Sequence, residues 1–173
     1  GWGSAEMDDE GTPTAKNILI ENGILRSYLV DRLNSRRMHT AITGSSRRQD
    51  YRFAPTSRMT NTFIANGKST PEEIIANTEF GLYAKQMGGG SVDPATFTFA
   101  VLEGYMIRNG RIAEPVRGAT LIGKGAEVLR DIDMVGNNLK RAQGMCGSKS
   151  GSIPTDVGQP MIRVSSMTVG GRG

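Results

Sequence analysis

Between Thr96 and Val101 the chain alternates with a period of two. Phe97, Phe99 and Val101 fall on one face of an extended segment, and Thr96, Thr98 and Ala100 on the other. This pattern predicts a strand, and Asn109-Gly110 beyond it predicts a tight hairpin. The same signature occurs earlier. In "KNILIENGILRSYLV" two apolar runs flank Asn22-Gly23, predicting a hairpin over about residues 17–30. Asp31 then stands where it can cap a short helix through Met38. "MTNTFIAN" reads as a strand. "STPEEIIANT" reads as a short helix, with Ser69 or Thr70 as cap, Pro71 in the first turn, and Glu72 and Glu73 near the positive end of the dipole. "GATLIGKGAEVLRDIDMVG" predicts a strand to Ile122, a glycine turn and a helix from about Gly125 to Ile132. A final strand is expected after Pro160.

The pattern stops in three places. Residues 39–58 are polar and Arg-rich, and a loop of that length in a compact domain is functional or disordered as a rule. Gly88, Gly89 and Gly90 follow one another and read as a turn. "GMCGSKSGS", residues 144–152, reads as a flexible loop around the single cysteine. Strands dominate, so the expected class is mainly β with short helices (α+β), an antiparallel or mixed sheet forming a barrel- or sandwich-like domain. Glycine at 23 residues and aromatics at 6% point the same way, towards short strands and turns rather than a helical bundle.

With 173 residues the chain is long enough for one cored domain, taken as residues 1–173. A single cysteine cannot form an internal disulfide, and no apolar run reaches the ~18 residues of a membrane span. A cytoplasmic protein without a membrane partner is therefore expected. The start at Gly1-Trp2-Gly3-Ser4 predicts a piece of something longer. The net charge of +4 is too modest to indicate nucleic-acid binding by itself.

The residues offer little ready-made chemistry. His39 and Cys146 are the lone members of their kinds, and no zinc-ligand pair has a recognised spacing. A solitary histidine beside an Arg-rich loop is more often a surface residue than a base. No G-x-S-x-G elbow or Walker motif occurs. Arg36, Arg37, Arg47, Arg48, Arg52 and Arg58, with Tyr51 and Phe53, resemble a basic patch interleaved with aromatics. The plainer reading is that these arginines pair with acids or hold the loop in place. Cys146 is the sharper candidate. Small neighbours leave space around its sulfur, Lys149 lies close in sequence, and a thiolate is what a metal requires. One ligand does not make a site; the others must come from elsewhere.

Several blocks, in this order and spacing, resemble the C-terminal part of the TldD/PmbA family, known both as modulators of DNA gyrase and as zinc metallopeptidases. They are "GWGSAEMDDEGTP", "ILIENGIL", "SRMTNTFI" with "PEEII", "GGGSVDPATFTF", "PVRGATLIGKG", "DIDMVGNN", "GMCGSKSG" and "VGQPMIRVSSMTVGG". The resemblance covers nearly the whole chain and leans to the TldD-like side. It implies an upstream domain, outside this chain, with an H-E-x-x-x-H motif whose histidines bind zinc and whose glutamate activates water. Cys146 would be the third protein ligand, leaving a fourth position for water. Histidines so spaced lie about 140° apart around an ideal helix, which a ligand arriving from another direction would suit. Many relatives read C-G-K where this chain reads Cys146-Gly147-Ser148-Lys149, so no role attaches to a lysine directly after the pair. The resemblance also implies a peptide substrate, held extended in a chamber between two subunits, and a homodimer or a heterodimer with a PmbA/TldE-like paralogue. The candidates for lining that path are Thr43, Gly44, Arg47 and Arg48, and Gly88, Gly89 and Gly90. The fragment alone is expected to be inactive. Alternative functions are a non-catalytic PmbA/TldE-like scaffold or dimerisation domain and, less favoured, a nucleic-acid-associated module.

Overall fold

Both Asn-Gly pairs make the turns their sequence predicts. In the computed structural model, which describes residues 1–93 and 95–171, Asn22 and Gly23 have φ of 51° and 76°, and Asn109 and Gly110 have 48° and 72°. Positive φ at both central residues is the type I′ requirement.

The first turn joins β1 (Ile20–Glu21) to β2 (Ile24–Leu25), a hairpin far shorter than the 17–30 expected. The helix α1 (Arg32–Met38) starts at Asp31, whose carboxylate accepts from the Asn34 N–H at 2.7 Å. His39 ends it in the left-handed conformation, φ 52°, so the lone histidine is a helix cap. The stretch 39–58 is more ordered than its composition predicts. It contains the antiparallel pair β3 (Ser46–Arg47) and β4 (Thr56–Ser57), and is followed by β5 (Asn61–Phe63).

The next segment opens with α2 (Pro71–Ala76). Thr70 and Glu73 exchange side-chain and backbone hydrogen bonds at 3.1 and 2.8 Å, a complete capping box, and Ile74 buries the helix's inner face. The antiparallel strands β6 (Phe80–Val92) and β7 (Thr96–Arg108) are 13 residues long each, and their register shifts between Ala84 and Gly90. Gly88, Gly89 and Gly90 thus lie within a strand and form no turn. At Gly90 the strands approach so closely that an added Cβ would fall 1.9 Å from the Thr98 carbonyl oxygen. After the second Asn-Gly turn, β8 (Arg111–Val116) returns along β7, and β9 (Thr120–Lys124) pairs with β7 further on. Then come α3 (Gly125–Arg130) and β10 (Ile132–Val135).

The chain next forms a long antiparallel hairpin, β11 (Lys140–Ser148) and β12 (Gly151–Gln159), with β12 parallel to β5 on its far side. The expected closing strand is two pieces: β13 (Ile162–Val164) pairs with β10, and β14 (Thr168–Gly170) with β9.

Two compact units result. Residues 1–64 and 140–159 form one, with Val30 and Ile153 in its core; residues 65–139 and those from Pro160 onward form the other, around Ile74, Val101, Ile107 and Ala119. The chain is mainly β with short helices and mixed and antiparallel sheets, as expected. Among the described residues no sheet closes into a barrel and no helix is long and apolar enough to cross a membrane.

Candidate functional site

Cys146 lies in the middle of β11, directly opposite Ile153 of β12. The flexible loop expected from its glycine and serine neighbours is therefore a hairpin arm. Cross-strand pairing supplies the order that side-chain pattern does not announce. Cys146 is half-buried, and a Cβ added to Gly144, which shares its strand face, would meet nothing within 4 Å.

Hydrogen-bond direction shows how the hairpin is held. On β12 the Ser152 N–H donates to Gln49 Oε1 at 2.8 Å, the Pro154 carbonyl accepts from Arg47 Nη1 at 2.7 Å, and the Asp156 N–H donates to the Thr60 carbonyl at 3.0 Å. Residues 152, 154 and 156 therefore point away from β11, and their neighbours 153, 155 and 157 point towards it. Pro154 is tolerated because its missing N–H falls on the side away from β11, before the stretch 156–158 that pairs with β5. The same alternation turns the backbone groups of Arg141, Gln143, Met145 and Gly147 to the outer side of β11, where among the described residues no strand pairs. The thiol thus sits one residue from an open strand edge.

The hairpin tip is gripped from within. Ser150 is fully buried: its carbonyl accepts from the Gln49 N–H at 2.8 Å and its hydroxyl from Thr56 Oγ1 at 3.1 Å. Arg58 donates to Ser150 Oγ at 2.6 Å, to the Gly151 carbonyl at 2.9 Å and to the Cys146 carbonyl. Arg47 also donates to the Met59 carbonyl at 3.1 Å. Burial holds the Arg47 guanidinium below its ordinary value. Asp9 and Cys146 act against that shift, and Arg58 adds to it. The Arg-rich stretch is therefore no uniform outward patch. Arg47 and Arg58 turn inward, and Arg52 forms a fork with Asp50 at 3.1 and 2.8 Å on the surface.

The remaining candidates divide between the units. Gly44, Arg47 and Arg48 line a cavity of about 250 Å³ in the first unit, with Met7, Ser152 and Pro154. Gly44 has φ 61°, and a Cβ there would collide with the Pro13 carbonyl. Thr43 is bound to its own fold: its hydroxyl accepts from the Val30 N–H at 2.7 Å and lies 2.7 Å from Ser45 Oγ. Gly88, Gly89 and Gly90 belong to the second unit. Among the described residues no three His, Cys, Asp or Glu side chains gather where they could hold a metal. Cys146 fits the role of a single soft ligand but, among the described residues, not that of a complete site. Sequence reasoning missed Ser150 and the inward face of Arg58. Neither has a local signal, because their partners lie 92 residues apart.

Residues 1–171 match the family model of the PmbA/TldA metallopeptidase C-terminal domain. The chain belongs to this family. It is 47% identical over 173 residues to the Metalloprotease TldD homolog of Buchnera aphidicola from Acyrthosiphon pisum, covering 98% of this chain and 36% of that protein. A protein of the same name from Haemophilus influenzae is 44% identical with the same coverage. The Zinc metalloprotease TldD homolog of Saccharolobus solfataricus is 33% identical over 165 residues, covering 95% of this chain and 37% of that one. The chain thus spans little more than a third of these relatives. In fold it resembles TldE from Thermococcus kodakarensis, with a TM-score of 0.75 at 24% identity, over 96% of this chain and 36% of that one.

Proposed function

We propose that this chain is the C-terminal domain of a zinc metallopeptidase, residues 1–173, in which Cys146 contributes one thiolate ligand and the free edge of β11 receives the peptide. The observation that carries this reading is a half-buried thiol, with open space at Gly144 on the same strand face, set beside an unpaired strand edge, in a chain whose relatives are named metalloproteases. Zinc in such a site would act as a Lewis acid and activate water, with the remaining ligands supplied from outside this chain. The chain's own part is to hold the sulfur and align the substrate. An extended peptide laid along β11 would bond through its backbone to the outward groups of Arg141, Gln143, Met145 and Gly147, largely independently of side-chain identity. The cavity beside Gly44, Arg47 and Arg48 is the subsite candidate nearest this hairpin. Thr43 and Gly88, Gly89 and Gly90 bear first on the fold, and a role on the substrate path would be additional. The active form would be a dimer, with a second copy or a TldE-like relative, and this domain alone would be inactive.

The test is made on the full-length protein. Cys146→Ser should bind zinc about 10-fold more weakly or worse, and hydrolysis of a peptide should fall with it. Wild-type zinc content in that variant would remove the ligand role. A full-length protein that neither binds zinc nor cleaves peptides would leave the scaffold reading, which the likeness to TldE in fold makes the natural second choice.

A further inference from the structure

Arg58 is buried, 4% exposed, and among the described residues it forms no ion pair with a carboxylate. A guanidinium taken out of water without a counter-charge is costly unless its donors are well used. Here the identified bonds go to one hairpin. Nη1 takes the Ser150 hydroxyl and the Gly151 carbonyl at the tip, and Nη2 takes the Cys146 carbonyl. Ser148 faces Gly151 at the last rung, and Cys146 faces Ile153 two residues further in. The planar fork therefore fixes the distance and twist between the tip and the rung that carries the thiol. A lysine, with a single nitrogen, cannot span those acceptors in that geometry. Arg58 is itself held in place, since its N–H donates to the Ser45 carbonyl at 2.9 Å, directly after β4.

Resting on the proposed ligand role of Cys146, we infer that Arg58 is a positioning residue for the metal: by clamping the Cys146 carbonyl it sets the peptide plane from which the sulfur projects. A hairpin needing only adhesion could use apolar packing at less cost. A hairpin that must present one sulfur in one direction gains from a rigid, multiply bonded clamp. Without it the strand would still pair, but the sulfur would sample more orientations and bind the ion less well.

The test uses full-length protein reconstituted with cobalt(II), whose thiolate-to-metal charge-transfer absorption reports the Cys–metal bond, together with zinc affinity from chelator competition. Arg58→Lys keeps the charge and loses the fork. It should retain the circular dichroism of the wild type, weaken zinc by about 10-fold or more and diminish or shift the charge-transfer band. Ser150→Ala removes one tip acceptor and should move the same readouts by less; it decides the matter if Arg58→Lys does not fold. A clamp that served stability alone would lower the melting temperature and leave affinity and band as in the wild type, and that result overturns the inference. Absence of the band in the wild type would refute the ligand role of Cys146, and the clamp with it. A wild-type band that survives both substitutions unchanged would refute the clamp alone.

Discussion

Asp31 ties a helix start to a strand with one carboxylate. Oδ1 accepts from the Asn34 N–H at 2.7 Å, and Oδ2 accepts from the Ser57 N–H at 3.0 Å and the Ser57 hydroxyl at 3.1 Å. Burial alone would raise its pKa; the bonds from Asn34 and Ser57 outweigh burial and hold it below the ordinary carboxylate range. A carboxylate depressed in the folded state stabilises fully above the unfolded pKa of about 3.9, and that contribution is lost as pH falls through the folded value. Asp31→Ala should cost about 1–2 kcal/mol at pH 7. Asp31→Asn should cost less, since asparagine also caps, and its deficit should shrink as pH drops below about 4. Urea midpoints for wild type and Asn variant between pH 7 and pH 3 measure this; a deficit that does not vary with pH would contradict it. The capping role was readable in the sequence because the cap and the N–H that donates to it lie three residues apart. The second bond set, to Ser57, was not, and neither were the particular partners of Arg58, because both lie far along the chain. Composition records how many charges a segment has and says nothing of which way they turn.

The proposed function turns on the β11–β12 hairpin, and here local pattern fails. Glycine and serine at Gly144, Gly147, Ser148, Ser150 and Gly151 leave no alternation to read, and Pro154 argues against a strand. The nine-rung ladder from Lys140↔Gln159 to Ser148↔Gly151 is created by pairing, with β12 further fixed by β5 from far upstream. By contrast, the two Asn-Gly turns and the Thr70–Glu73 capping box encode their geometry within four residues, and each was legible. The alternation of hydrogen-bond direction along β11 gives the peptide-docking proposal a sharp test. Met145 turns its N–H outward, away from β12, so Met145→Pro removes a donor from the free edge while sparing the ladder. In the full-length protein it should raise KM for an extended peptide about 5-fold or more, the loss of about one hydrogen bond, with zinc content and kcat little changed. An unaltered KM would place the peptide elsewhere.

At the scale of the whole chain, the division into two units was invisible to the sequence, because the first unit is built from residues 1–64 and 140–159 and the second takes what lies between and after. No composition shift marks those crossings; they follow from β5 choosing a partner in β12. Both units bury isoleucine, among them Ile153 at 1% exposure in the first and Ile107 at 4% in the second. Truncating either to alanine should cost about 2–5 kcal/mol. The loss should be local, since proteins open in contiguous cooperative units. In Ile153→Ala, amide exchange should quicken across residues 1–64 and 140–159, and in Ile107→Ala across residues 65–139. Hydrogen exchange followed by mass spectrometry resolves the two patterns, and equal quickening of the whole chain by both variants would mean that the units unfold as one. The distinction has a functional edge. Cys146, Ser150, Arg47 and Arg58 all lie in the first unit, so in the full-length protein zinc retention should suffer in Ile153→Ala, and Ile107→Ala, equally destabilising, should leave it nearly intact.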